Sequence, residues 1–321
     1  MSALKFLFYF FLLSEIIFSC KKESFITSAD AKLNTSADTL FYDTVFTSTG
    51  SITQSFKIFN DNNQKLRLSS VKLSGGAVSA FKINVDGTAA NEVDNIEINA
   101  NDSIYVFVQV SINPTAANLP FIVRDSILIN YNGNQKYVQL QAYGQNAIFL
   151  KSMQLTGNNT WNNTLPYVIL GGIDIDTDAT LTIQQGTRIY LHADAPFLVD
   201  GTLIVNGTKQ DSVIFNGDRL DPDYRDLPAS WPGIFFRETS KDNVLRHAVI
   251  KNAYQGFIAQ YLSSPNPKVT LSQCVIDNIY DAGVLGINTN IYADNCLISN
   301  CGSNLLLGLG GDYQFIHCTV A

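Results

Sequence analysis

The densest group of residues able to do chemistry lies between Asn216 and Trp231, and it contains Asp218, Arg219, Asp221, Asp223, Tyr224, Arg225, Asp226 and Trp231. Acid/base cleavage of a glycosidic bond needs one carboxyl group to protonate the leaving oxygen and a second to activate water or attack the sugar. An arginine and an aromatic ring beside them would hold the substrate. The same side chains serve sugar recognition without cleavage, and an Asp/Arg loop that merely covers a neighbouring element has this composition too. Asp218, Asp221, Asp223, Arg225, Asp226 and Trp231 are therefore the candidate binding residues. No second constellation designates a catalytic residue.

Other chemistry-bearing residues are sparser. Asp174, Asp176 and Asp178 alternate and could offer oxygens to calcium, but Ala179 and Leu181 do not provide the Gly and distant Glu that an EF-hand loop needs. They read as the outward face of a strand. His247 and His317 fall in one row with Gln273 and Asn295, which reads as a polar row on a sheet, and His192 is isolated. No zinc spacing, nucleophile elbow or phosphate loop occurs, so neither a metal nor a cofactor is expected. Cys274, Cys296 and Cys318 recur at steps of 22, with Cys301 nearby. They fit small apolar stacking thiols, and in an exported protein a disulfide among them is the alternative.

These residues are carried by a repeat. Ile250, Ile276, Ile298 and Val320 step by 26, 22 and 22, in phase with the cysteines and with a third column, Asn252, Asn278 and Asn300. Within each unit the columns lie two residues apart, which is strand periodicity. Strands at the same phase of successive turns pair in parallel about 4.8 Å apart, so that like residues stack on like. Asparagine suits the bend after each strand, because it tolerates left-handed backbone angles and can hydrogen-bond to the next asparagine in a ladder. Thr180 to Thr187 and Thr202 to Thr208 carry related phrases, Leu-x-Ile and Leu-x-Val, again 22 apart, as earlier coils.

From these columns the stretch from Ile148 to Ala321 resembles the right-handed parallel β-helix family, the pectate-lyase-like fold, in which asparagine ladders recur. That fold carries lyases, hydrolases, adhesins and inert spacers, so the resemblance implies architecture and leaves activity open. The long Asn216–Trp231 segment is then an insertion projecting from one face of the rod. The next asparagine of the column would fall one residue beyond Ala321, and further coils are expected there.

Ahead of the repeat, residues 38–146 alternate in short strands such as Ser55 to Asn60, Leu66 to Leu68, Ile104 to Val108 and Asp125 to Ile129, separated by turn clusters. Seven or so strands in this length argue for an antiparallel sandwich. The Asn60 strand end, the Ala80-Phe81 pair, the Asn101-Asp102-Ser103 turn and Ile112-Asn113-Pro114 resemble the Ig-like domains of the major sperm protein, abnormal-spindle and hydin group. The whole chain is thus read as all-β: a sandwich over 38–146 followed by a parallel β-helix over 147–321.

At the amino terminus Lys5 precedes an apolar run too short to span a bilayer, ending in Ile17-Phe18-Ser19-Cys20. This resembles a bacterial lipobox, with residues 1–19 as signal peptide, Cys20 as the lipidated residue and 20–37 as a tether. Lys21-Lys22-Glu23-Ser24 after it resembles lipoproteins of the Bacteroidota. The resemblance implies an outer-membrane lipoprotein whose partner is membrane lipid, held by its acyl chains. Net charge is −7 with no cluster of Lys and Arg, which argues against nucleic acid. The reading is a lipid-anchored envelope protein presenting a β-helix as a binding or structural surface for glycans; the alternative is a polysaccharide lyase or glycoside hydrolase working in the β-helix groove.

Overall fold

The computed structural model describes residues 24–47, 50–114, 120–262 and 264–321. Cys20 and the leader lie outside the described residues. The described chain is built of strands, and its single helical element is a 3₁₀ turn at Gly76–Val78. Among the described residues no helix is long and apolar enough to cross a membrane. Two compact units are present, one dominated by residues 53–110 and 124–141 and the other by 142–321.

The first unit is an Ig-like antiparallel sandwich. One sheet orders Leu33–Thr35, Gln54–Asn60, Ser103–Val110, Phe81–Val85 and Thr88–Ala89, and the other Thr39–Phe46, Asn134–Gln145, Phe121–Tyr131, Leu66–Leu73 and Glu92–Ile98. Alternate residues point inward, so Phe56, Ile58, Val106 and Val108 meet Leu66, Leu68, Ile127 and Ile129 in the core, all essentially inaccessible. The Asn60 side chain closes one end by donating to the carbonyls of Gln64, Ile98 and Asn99 at 2.9, 3.0 and 2.8 Å. Asn101 makes the neighbouring turn with φ 56°. The stretch that reads as a tether contributes structure too. Leu33–Thr35 pairs with Gln54–Asn60, and Ala31 and Leu33 are buried. Two apolar side chains at alternate positions are enough to add an edge strand.

The second unit is a parallel β-helix with three faces. The first face runs through Arg188–Leu191, Val213–Gly217 and Ala248–Lys251 into the opening residues of Val275–Asp294 and Leu297–Ile316, ending at Thr319–Val320. The second runs through Phe197–Val199, Ile234–Phe236 and Phe257–Gln260 and on through 284–287. The third runs through Thr180–Gln184, Thr202–Asn206, Asn243–Arg246 and Val269–Ser272. Register brings Ile189, Phe215, Ile250, Ile276, Ile298 and Val320 into one column. The core is further filled by edge-to-face phenylalanines, Phe197 on Phe215 and Phe236 on Phe257, each pair 5.7 Å apart between centroids. Such contacts add roughly 0.5–1.5 kcal/mol per pair beyond burial.

Left-handed residues turn the chain at two corners. Asn252, Asn278 and Asn300, with φ of 61°, 58° and 55°, stand between the first and second faces. His247, Gln273, Asn295 and His317, with φ of 47°, 55°, 51° and 52°, stand between the third and the first. This second row reads from its spacing as a sheet face, and the structure corrects that reading. Each member sits at a bend: His247 one residue before the strand resumes, and Gln273, Asn295 and His317 two residues before it. Cys274 and Cys296 are buried directly after that bend, Cys318 is half-buried, and all four described cysteines are free thiols. The Cys274 amide lies 3.4 Å from the Cys296 sulfur, consistent with sulfur stacking on sulfur from coil to coil.

Candidate functional site

The insertion enters from Val213–Gly217 and leaves into Ile234–Phe236, so it replaces the corner that asparagine makes elsewhere. The asparagine column lies against it. Asn252 Nδ2 donates to Asn216 Oδ1 at 2.8 Å and to the carbonyl of Arg225 at 2.7 Å. Asn278 Nδ2 donates to Asn252 Oδ1 at 2.7 Å and to the carbonyl of Asp226 at 2.8 Å. Each amide therefore uses one hydrogen to climb the ladder and the other to hold down the insertion. Asn300 leaves the ladder and donates to Asp277 Oδ1 at 2.8 Å. Burial works against the Asp277 charge, yet hydrogen bonds from Asn300, Ser299 and Lys251 hold its carboxyl below the usual carboxylate value.

Three of the insertion's four acidic residues pair within the chain. Asp218 Oδ2 meets His192 Nδ1 at 2.7 Å. Burial raises the Asp218 pKa, and the imidazole opposes that rise. Arg219 grips Asp221 through two bonds, of 2.8 and 3.1 Å, and lays its guanidinium 3.9 Å from the centroid of the Tyr224 ring. Arg225 Nε donates to Asp226 Oδ2 at 3.2 Å. Asp223 is exposed. Trp231 is only 1% exposed and donates its indole N–H to the Lys251 carbonyl at 2.8 Å, while Ser230 Oγ donates to the Asn252 carbonyl at 2.7 Å. The sequence offers no signal for the His192–Asp218 contact. The two residues are 26 apart and become neighbours because Leu191 and Gly217, just before them, are register partners.

Asp174, the first of the alternating aspartates, pairs with Arg237, which also binds Asp200. Among the described residues no three or more potential ligands gather to hold a metal ion. One coil further on, Lys268 is 1% exposed and its ammonium donates to the carbonyls of Arg237, Glu238 and Ser240 at 2.9, 2.9 and 2.7 Å.

A different surface opens beside the insertion. Tyr254 and Tyr280, two residues past Asn252 and Asn278, stack at 5.3 Å with 25° between their planes and are 46% and 59% exposed. Next to them a pocket of about 390 Å³ is lined by Ala229, Trp231, Pro232, Phe235, Tyr254 and Ile258, among others. Neither tyrosine stands out in the sequence, although their 26-residue step is that of the ladder.

No protein-family model matches the chain, and no curated protein matches it. Among solved structures it is similar to a family 123 glycoside hydrolase from Clostridium perfringens, with 12% identity over 37% of this chain and a TM-score of 0.25. That match spans 26%, about a quarter, of the hydrolase's own length. It is similar as well to the ASH/PapD-like domain 7 of human CEP192, with 8% identity over 40% of this chain and 92% of that one, at a TM-score of 0.25. WR4, a major sperm protein family member of C. elegans, matches at 13% identity over 36% of this chain and 98% of its own, with a TM-score of 0.23.

Proposed function

We propose that the chain is a lipid-anchored cell-envelope protein, an outer-membrane lipoprotein of the Bacteroidota kind, whose β-helix binds glycans without cleaving them. The observation that carries the absence of cleavage is the internal pairing of the insertion: Asp218 with His192, Asp221 with Arg219, and Asp226 with Arg225. A glycosidase needs two carboxyl groups that face the sugar and exchange protons with it. Carboxylates committed to a bidentate arginine or a neighbouring imidazole are poor at that task. They are well suited to fixing a surface loop, and the ladder amides fix its backbone as well. The anchor rests on the lipobox-like Ile17-Phe18-Ser19-Cys20, since acyl chains contribute about 0.8 kcal/mol per buried methylene and hold a domain on a membrane without a spanning helix.

One set of preparations tests both halves. Full-length protein and a Cys20→Ala variant are expressed in a bacterium fed an alkyne fatty acid, and purified protein is assayed on a panel of neutral and acidic glycans. Lipid label and membrane retention are expected for the native chain and lost with Cys20→Ala. Glycan is expected to bind with no new reducing ends and no unsaturated product. Turnover that Asp221→Asn and Asp223→Asn abolish would establish the lyase or hydrolase reading instead, and a label that survives Cys20→Ala would remove the anchor.

A further inference from the structure

We infer that the β-helix takes a glycan by its end: a terminal sugar unit carrying a single oxyanion, carboxylate or phosphate ester, seated in a polar cavity between the third and first faces of the opening coils. This rests on the glycan-binding reading and adds its place and ligand class. The cavity exists because that corner is built differently at the start of the rod. From the His247 bend onward the chain passes from the third face to the first through one or two residues. The earlier coils use the longer connections 162–166, 185–187 and 207–212. Beside these lies a cavity of about 420 Å³, within the roughly 300–1,000 Å³ usual for small-ligand sites. A space of this size admits a chain end and not an extended polymer. All the residues that line it belong to the second compact unit.

Arg188 and Asp211 are the charged residues of the lining, and neither side chain pairs with another described residue. A guanidinium left free offers a planar fork of N–H donors to a carboxylate or phosphate. Gln145 is an independent sign of a ligand. It lines the cavity, is only 8% exposed, and no described residue bonds its side-chain amide. A buried amide without a partner is costly, and the hydroxyls of a sugar would supply the missing bonds. Asn163, Thr164 and Ser212 add further amide and hydroxyl groups, while the Asp211 carboxylate can accept from ligand hydroxyls. The connections that carry these residues are tied down. Gly186 N and Thr208 N donate to the Asp211 carbonyl at 2.9 and 3.1 Å, and Thr164 N to Asn162 Oδ1 at 3.0 Å, so little freedom is lost on binding. One free cation beside one carboxylate sets the class. A neutral sugar would leave the guanidinium unanswered, and a polyanion would bring further charges against Asp211 and a chain of net charge −7.

Calorimetric titration of the full chain at low salt tests the inference, with glucuronate, galacturonate, glucose 6-phosphate and galactose 6-phosphate as probes and glucose and galactose as their neutral counterparts. At least one charged sugar should bind tenfold or more tighter than its neutral counterpart, and whether the uronates or the phosphates do so tells which oxyanion the cavity takes. Arg188→Gln should bring that sugar to within threefold of the neutral one, and Gln145→Leu should weaken it tenfold or more. Lys209→Gln, in the same connection as Asp211 but outside the lining, should change it by less than twofold. Melting curves confirm that the variants fold. Equal affinity for charged and neutral sugars would overturn the class, and a charged sugar bound equally by Arg188→Gln would overturn the location. If no charged probe binds while a member of the wider glycan panel does, this inference falls and the glycan-binding reading stands. If nothing binds, both fall.

Discussion

Replacing Lys268 by methionine should destabilise the β-helix by roughly 3 kcal/mol, a drop in melting temperature of about 6–12 °C for a unit of this size. The methionine keeps the apolar stem but strips the ammonium from three carbonyls, those of Arg237, Glu238 and Ser240. Ser240 is itself inaccessible, so at least that carbonyl lies where water cannot easily replace the donor. Lys268 leads into the third-face strand of one coil and ties down the connecting turn of the coil before it, which is why a single side chain reaches so much structure. The pH dependence has a definite sign. Burial lowers the Lys268 pKa from 10.5 to about 8, with Glu238 opposing. Between those two values the unfolded chain binds the extra proton, so this group's contribution to stability rises with pH across the window. Thermal melts of native and Lys268→Met protein should therefore diverge further from pH 8 to 10. Curves that converge would show that the three carbonyls hold the proton more tightly than burial expels it.

Asn252→Ala should cost roughly 3–4 kcal/mol, for two separable reasons. Alanine at φ 61° pays about 1–2 kcal/mol for the left-handed backbone. The rest is the loss of a nearly inaccessible amide that joins Asn216, Asn278 and the Arg225 carbonyl, since each buried group left without its partner costs about 1–3 kcal/mol. Asn252→Gly removes the first cost and keeps the second. Denaturant titrations should accordingly rank native, Gly and Ala in that order, and equal losses for Gly and Ala would mean that the backbone angle carries no strain.

The parts of this molecule that were legible in its sequence are those that repeat. The isoleucine column steps by 26 and then 22, and its members are register partners, because a parallel β-helix stacks like positions of successive coils on one another and leaves the extra residues of a longer coil to its loops. The asparagine column announced its bends by residue type, and the φ values bear that type's preference. The bend at His247, Gln273, Asn295 and His317 was not legible, because three residue types share one backbone angle and no single type marks the column. The rung at Asn216 was hidden for another reason: the insertion stretches its distance to Asn252 to 36 residues. Side chains that change partner on folding were the hardest to read. Trp231 has the composition of an exposed sugar platform and instead seats its indole N–H on the Lys251 carbonyl. Lys268 looks like an ordinary strand-end cation and is nearly inaccessible. Neither outcome follows from spacing, since both depend on which carbonyls a neighbouring coil leaves unpaired.

The central claim is that the asparagine ladder, through the Arg225 and Asp226 carbonyls, holds the charged insertion against the rod. Limited trypsin digestion followed by mass spectrometry measures this directly through cleavage after Arg219 and Arg225 in native, Asn252→Gly and Asn278→Gly protein under conditions where all three stay folded. The native insertion should resist cleavage, and both variants should be cut there at least tenfold faster. Equal rates in the three proteins would contradict the claim, because the insertion would then owe its position to something other than the ladder.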